Sequence, residues 1–393
     1  MPRVYLDHAS TSPPRPAVVD ALVGALGLAD PGRVHTEGRL ARAVLEEARD
    51  QVAAFCGTRS RQVIFTSGAT EAINAAVYGA VTAGRGDHLV CAGVEHSAVQ
   101  RASERAGRVT VAASHRDGRI DVDSLLRAIG PNTALVHCQW ANHEVGAIQP
   151  VAEVVAACRE RGILVHVDAA AAAGHLPIAF DELGADLLSL SAHKMGGPKG
   201  AGALLVRRGI RLPPLLVGGD QERARRGGLE DVPAWVGFGA AAAELDGPFD
   251  PDGEPGAGAG GRGGTLAAEA ARAAAQADRI RAAAVAVEGV QVYGPENAAD
   301  RLPHLVCLGI DGVEAEAVLL GLDQMGIAAH SGSSCSSEAL EPSPVLAAMG
   351  VDADHSVRLS VGWSTTEAEV DAAASALPGV IERLRSLRQA FGS

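Results

Sequence analysis

Lysine occurs only twice in this chain, at Lys194 and Lys199, both inside the stretch SAHKMGGPKG at 191–200, while arginine fills the other cationic positions. Arginine serves as well as lysine for surface charge, but a guanidinium keeps its proton near neutral pH and forms no Schiff base. Two lysines left in one short stretch therefore point to amine chemistry, against the plain reading of an exposed loop lysine. The apolar run just before them, 187–190, reads as a strand. That puts Ser191, His193 and Lys194 on the loop leaving the strand's C-terminal end, where ligands collect in parallel sheets.

Five further segments carry residues of the same kind. In ILVHVDAA, 163–170, Asp168 ends an apolar run. A carboxylate there is poorly solvated, and it either caps the next helix or partners a cationic group such as a protonated ring nitrogen. In VIFTSGATEAINAAV, 63–77, a strand runs into Thr-Ser-Gly-Ala-Thr and then an amphipathic helix. Free N–H groups at the helix start, with the hydroxyls, suit a phosphate monoester, and a capping box through Glu71 would be compatible with that. In AGVEHSAV, 92–99, His96 follows a strand, where an imidazole either stacks on a planar cofactor and moves protons or is simply buried. Cys335 lies among small polar residues in HSGSSCSSEALEPSPVL, 330–346, as an accessible nucleophilic thiol would, whereas the other five cysteines sit in apolar strands or helices. Arg358, inside the alternating run HSVRLSVG at 355–362, calls for a carboxylate, either a substrate's or a structural partner's.

Alternating short apolar runs and helical segments position these residues. Strands are expected at 63–66, 88–92, 108–112, 134–139, 163–167, 187–190 and 203–206, with helices at 69–83, 98–105, 151–161 and 232–245. Near-continuous apolar strands alternating with helices specify a largely parallel sheet covered on both faces. Residues 247–264 are Gly- and Pro-rich; they match GxGxxG at Gly256, Gly258 and Gly261, but no strand precedes them, so they read as a flexible insertion. A long helix at 266–287, strands at 304–310 and 357–361, and helices at 314–325 and 367–388 then describe an α+β C-terminal unit. The expected division is 15–245 for a large domain, 246–265 for the insertion, and 1–14 with 266–393 for a small domain.

Composition removes other classes. A net charge of −13 gives nucleic acid no electrostatic purchase. No apolar run reaches membrane-spanning length, and the polar start MPRVYLDHAS lacks a signal-peptide centre. Six scattered cysteines without CxxC pairs suit a reduced, cytoplasmic protein that holds no structural metal.

The six segments, in this order, resemble the cysteine desulfurases of the class V aminotransferase group, nearest the branch that serves iron–sulfur cluster assembly and tRNA thiolation. The start YLDHASTSPPRP resembles that family's N-terminus as well. The resemblance implies a fold-type I pyridoxal 5′-phosphate (PLP) enzyme: a mainly parallel seven-stranded sheet in the large domain, and a homodimer with its site at the subunit interface. It implies that Lys194 carries the cofactor, Asp168 holds the pyridine nitrogen and His96 stacks on the ring. Ala69, Thr70, Ser191 and His193 would surround the phosphate, and Arg358 with Asn142 and His143 would hold the substrate. Cys335 would take the sulfur of L-cysteine as a persulfide, release L-alanine, and pass the sulfur to an acceptor protein. The alternative for the same residues is a specialised C–S or C–Se lyase, or another amino-acid transformation on this cofactor.

Three positions depart from the family pattern. Ala171 stands where a glutamine donates to the cofactor's phenolic oxygen, His143 where an asparagine contacts cofactor and substrate, and Leu229 where a threonine reaches the partner's phosphate.

Overall fold

The computed structural model describes residues 3–84, 86–247, 263–331 and 342–391. Cys335 and residues 248–262 of the Gly/Pro-rich stretch lie outside them. The ends of that stretch are close together, with Gly263 N–H donating to the Asp246 carbonyl at 2.7 Å.

A seven-stranded sheet runs in the order Val63–Thr66, Gly202–Val206, Leu187–Ser191, Leu164–Asp168, Thr133–Gln139, His88–Ala92, Arg108–Ala112. Six of these strands are parallel; Gly202–Val206 alone runs antiparallel to both its neighbours. The interior strands are buried on both faces, in keeping with their predominantly apolar sequences. The edge strand Arg108–Ala112 alternates and leaves Val111 58% exposed. Helices Thr36–Phe55 and Val232–Asp246 cover one face through Leu45, Ala48, Val52, Trp235 and Phe238. Helix Ala69–Thr82 covers the other through Ile73, Ala76 and Val77.

A second, antiparallel sheet orders His330–Ser331, Ser356–Ser360, Leu305–Ile310 and Val290–Tyr293. Helices Gly264–Val285, Ala315–Gln324 and Glu367–Phe391 close its own apolar core. The N-terminal segment belongs to this unit: Val4–Tyr5 pairs in parallel with Ile327–Ala328, and Leu6 joins the second core. The observed bounds of the expected elements lie within three residues of the sequence reading, and the strands at 63–66, 88–92 and 108–112 coincide with it. The fold is α/β with a smaller antiparallel unit.

Buried ion pairs fasten parts distant in sequence. Arg49 in Thr36–Phe55 meets Glu222 with both terminal nitrogens, at 2.5 and 2.6 Å, and Glu222 also accepts the Phe65 N–H at 2.8 Å. This pair anchors three successive non-glycine residues in left-handed backbone, Glu222, Arg223 and Ala224, with φ of 49°, 59° and 60°. Each such residue costs on the order of 1 kcal/mol, so the conformation persists because the pair and its neighbours impose it.

Candidate active site

The site lies at the C-terminal ends of the parallel strands. A cavity of about 470 Å³ is lined by Ser10, Thr11, Ser67, Gly68, Ala69, Thr70, His96, Asp168, Ser191, His193, Lys194 and Lys199, among others. It thus gathers seven of the residues singled out from the sequence, drawn from four separate strand ends.

Lys194 sits in the short turn Ala192–Met195, between the strand Leu187–Ser191 and the reversed strand Gly202–Val206. Gly196 ends that turn in left-handed backbone (φ 80°), a position that glycine takes without steric cost. The N-terminal segment clamps the turn at both sides. Ser12 N–H donates to the His193 carbonyl at 2.9 Å, Arg15 N–H to the Gly196 carbonyl at 2.9 Å, and Arg15 Nε to the Met195 carbonyl at 3.0 Å. The Arg15 guanidinium is held in turn by Glu244 (2.8 Å) and Glu269 (2.7 Å). Every donor of a buried arginine needs such a partner, and here the partners fix the backbone around Lys194.

Asp168 closes the strand Leu164–Asp168 and is 7% exposed. Its Oδ1 accepts the Ser189 hydroxyl at 2.8 Å and the Ala170 N–H at 3.1 Å. The carboxylate is thus oriented at the cavity wall by two hydrogen bonds.

His96 caps helix Ser97–Ala106, its Nδ1 accepting the Ala98 N–H at 3.0 Å. With Nδ1 an acceptor, the neutral ring carries its proton on Nε2. His193, opposite, is pushed down to about 4 by burial and then by Lys194 and Lys199, so it is neutral at physiological pH.

Gly68 begins the helix Ala69–Thr82 with φ 153° and no side-chain cap, leaving the first N–H groups of that helix without intrahelical acceptors. The loop is pressed against the reversed strand: a Cβ on Gly202 would lie 2.5 Å from Gly68 Cα and 2.5 Å from the Leu190 carbonyl. Glu71 accepts the Ser67 N–H at 2.8 Å and pairs with Arg226 at 2.9 Å. Burial opposes its ionisation, but the Arg226 and Ser67 bonds outweigh it and hold the carboxyl below the usual range. Arg226 lies over Trp235, 5.7 Å from the ring centroid, and Trp235 stacks on Phe65 at 5.0 Å.

The remaining predicted residues stand behind the cavity. Asn142 is spent on the fold: its Oδ1 accepts the Glu144 and Val145 N–H groups at 2.9 Å and its Nδ2 donates to the Val94 carbonyl at 3.0 Å. Arg358 is 1% exposed, donating to Asp7 at 2.9 Å and to the His143 carbonyl at 2.8 Å. Of the two readings open for Arg358, the structure displays the structural ion pair. Its Nε is buried with no hydrogen-bond partner. His143 meets His96 edge to face, with ring centroids 5.0 Å apart. Ala171 packs into a small apolar cluster with Ala141, Ala172 and Leu302, away from the cavity.

Ser10, Thr11 and the pairing of Glu71 with Arg226 escape the sequence reading, which marks Lys199 only as a scarce lysine and Glu71 only as a capping residue. Ser10 and Thr11 reach the cavity only because the N-terminus folds back along the second unit, a long-range event with no local signal.

An anion-binding helix start, a lysine amine, an oriented carboxylate and an imidazole on one wall are complementary to the phosphate, aldehyde, ring nitrogen and ring face of PLP. Comparison with known proteins agrees. The aminotransferase class-V family matches residues 4–249 and 263–373. The chain belongs to that family, and its cofactor is PLP. Among its relatives are the "Cysteine desulfurase IscS" of Dictyoglomus turgidum, 37% identical over 98% of this chain and 96% of that one, and the "IscS-like cysteine desulfurase" of Mycobacterium tuberculosis, 37% identical over 97% of each. A solved "NIFS-LIKE PROTEIN" superposes with a TM-score of 0.85 at 27% identity, over 97% of this chain and 100% of that one.

Proposed function

We propose that Cys335 is the sulfur acceptor of this chain, which is a PLP-dependent cysteine desulfurase converting L-cysteine to L-alanine. The observation that carries the reading is the convergence of Lys194, Asp168, His96 and the helix start at Ala69 and Thr70 on one cavity. Bound PLP supplies an electron sink for the charge left at the substrate's Cα. Lys194 would hold the cofactor, and its amine is the base placed to take the Cα proton. Asp168 would pair with the ring nitrogen and favour its protonated form. His96 handles a proton at Nε2, the nitrogen its capping bond leaves available. The Cys335 thiolate attacks the substrate sulfur, so an S–S bond forms as the C–S bond breaks. The sulfur is oxidised to the persulfide level while Cβ is reduced to the methyl of alanine, and no external oxidant is needed. An acceptor protein then takes the sulfur, in the service of iron–sulfur clusters or tRNA thiolation.

The working unit is a homodimer. In support, the loop leading to Arg226 exposes Leu216 and Val217 (81% for the latter), and Leu229 just beyond it is 65% exposed. A cytoplasmic setting fits the five described cysteines, all free and buried.

Borohydride treatment of the purified protein should leave a pyridoxyl adduct on Lys194, read by peptide mass. Incubation with L-cysteine should yield alanine, and sulfide only when a thiol reductant is added. Cys335→Ser should abolish both products. Desulfuration that survives this substitution would replace the acceptor mechanism with a lyase.

A further inference from the structure

At position 143 the chain carries an imidazole where the desulfurase pattern has an asparagine, and the fold holds that imidazole rigidly. Its backbone carbonyl accepts from Arg358 at 2.8 Å, and Asn142 Oδ1 gathers the two N–H groups that follow it. The residue is 5% exposed. Its Nε2 lies 3.5 Å from Glu144 Oε1, and its ring meets that of His96 at an interplanar angle of 60°. Glu144 is anchored on its other side by the Ser343 hydroxyl, which also caps helix Pro344–Met349.

We propose that His143 is a positioning residue that acts through His96: paired with Glu144, it sets the charge beside the one ring nitrogen that His96 has left for the site. The inference rests on the desulfurase reading only for what the proton at His96 is used for.

The titratable and charged groups around the two rings come from several separate segments of the chain. Glu95 precedes His96; its Oε1 accepts the Gln139 N–H at 2.7 Å, and its Oε2 is buried without a hydrogen-bond partner. Burial, then the Asp168 charge, push Glu95 up to about 8, so it stays a neutral acid through the neutral range. Asp168 is bonded to Ser189 and Ala170, and Arg358 is closed on Asp7. Lys194 and His193 line the same cavity as His96. Asp168 keeps its charge on the cavity wall in every variant, so the anion whose effect on His96 depends on residue 143 is Glu144, beside which His143 stands. With His143 protonated against Glu144 the pair is close to neutral. A neutral side chain at 143 exposes the Glu144 charge to His96 and strengthens proton binding there.

Histidine C2-hydrogen exchange followed by mass spectrometry reads the titration midpoint of each imidazole separately in the purified holoenzyme. His143→Asn is expected to raise the His96 midpoint by about half a unit or more, and Glu144→Gln to lower it by a similar amount. His143→Gln serves as a second neutral variant should the asparagine variant fold poorly. His88, bonded to Thr133 and Thr110 at the far end of the strand that leads to His96, should not move. The acid limb of kcat/KM should follow the His96 midpoint in each variant. An unmoved His96 midpoint in folded His143 variants overturns the proposal. Absence of the Lys194 adduct or of alanine would instead overturn the desulfurase reading and leave the midpoint measurement standing.

Discussion

Gly202→Ala tests whether the cavity's anion cradle depends on the reversed strand. The added Cβ would lie 2.5 Å from Gly68 Cα, 2.5 Å from the Leu190 carbonyl oxygen and 2.7 Å from the Gly68 carbonyl carbon. All three are backbone atoms, so no side-chain rotation relieves the clash, and the loop at 67–70 must move away from the sheet. Overpacking of this kind costs about 1–3 kcal/mol. In a chain of 393 residues that lowers the melting temperature by roughly 1–4 °C. The same displacement tilts the Ala69 and Thr70 N–H groups away from the phosphate. Losing one charge-assisted hydrogen bond, worth about 1.5–3 kcal/mol, weakens PLP binding roughly 10- to 150-fold. Absorbance titration of stripped protein with PLP, beside thermal melts, measures both effects. Gly24→Ala is the control: nothing lies within 4 Å of its Cβ in helix Pro16–Ala25, so it should gain about 0.5–1 kcal/mol from helix propensity and leave PLP affinity unchanged. A Gly202→Ala protein that binds PLP within twofold of the parent would refute the coupling between strand and cradle.

Removing one member of the Arg49–Glu222 pair should cost more than removing both. Arg49→Met leaves a buried carboxylate and is expected to lose about 3–5 kcal/mol, and adding Glu222→Gln should recover part of it, as urea unfolding of the three proteins would reveal. Asp168→Asn keeps the acceptor for Ser189 but removes the anion, so turnover should fall about a hundredfold or more while the bound-PLP absorbance persists. Acid should destabilise the chain early. Burial holds His8 and His193 down to about 4 and His137 and His175 to about 3, against 6.5 when unfolded. Between these limits only the unfolded chain binds the protons, so stability is intact above pH 6.5 and is lost as pH falls through 6 to 4. Glu95, pushed up to about 8, works in the opposite sense, but it is one group against four. Thermal melts across this range check the sign; a melting temperature that stays flat down to pH 4 would show that the histidines are not buried as described.

The layered fold was legible because the interior strands are predominantly apolar with only scattered polar residues, and period and composition expose that directly. The site residues were legible for a related reason: Asp168, His96, Ser191 and Lys194 all follow an apolar run, and parallel sheets place such residues along one edge. What escaped depends on pairings between distant segments. Nothing local distinguishes the reversed strand Gly202–Val206 from its parallel neighbours. Arg15, Arg49 and Glu222 read as ordinary surface charges until their partners, which lie 173 to 254 residues away, are brought up to them. Asn142 has the polarity of a binding residue, yet its side chain is consumed by the turn that it organises. Arg358 calls for a carboxylate in the sequence, but Asp7, 351 residues earlier in the chain, gives no sequence signal as the partner it meets here.

That last pairing bears on biosynthesis. Asp7 meets Arg358, Ala9 N–H donates to the Ser360 hydroxyl, and the neighbouring Ser10 and Thr11 form part of the cavity wall. A growing chain on the ribosome can therefore assemble the large sheet while its first residues still hang loose. The front of the pocket closes only after the strand Ser356–Ser360 has emerged. Capture of the cofactor in its final setting thus waits until synthesis is nearly complete, and truncation shortly before that strand would leave a folded sheet with an open pocket.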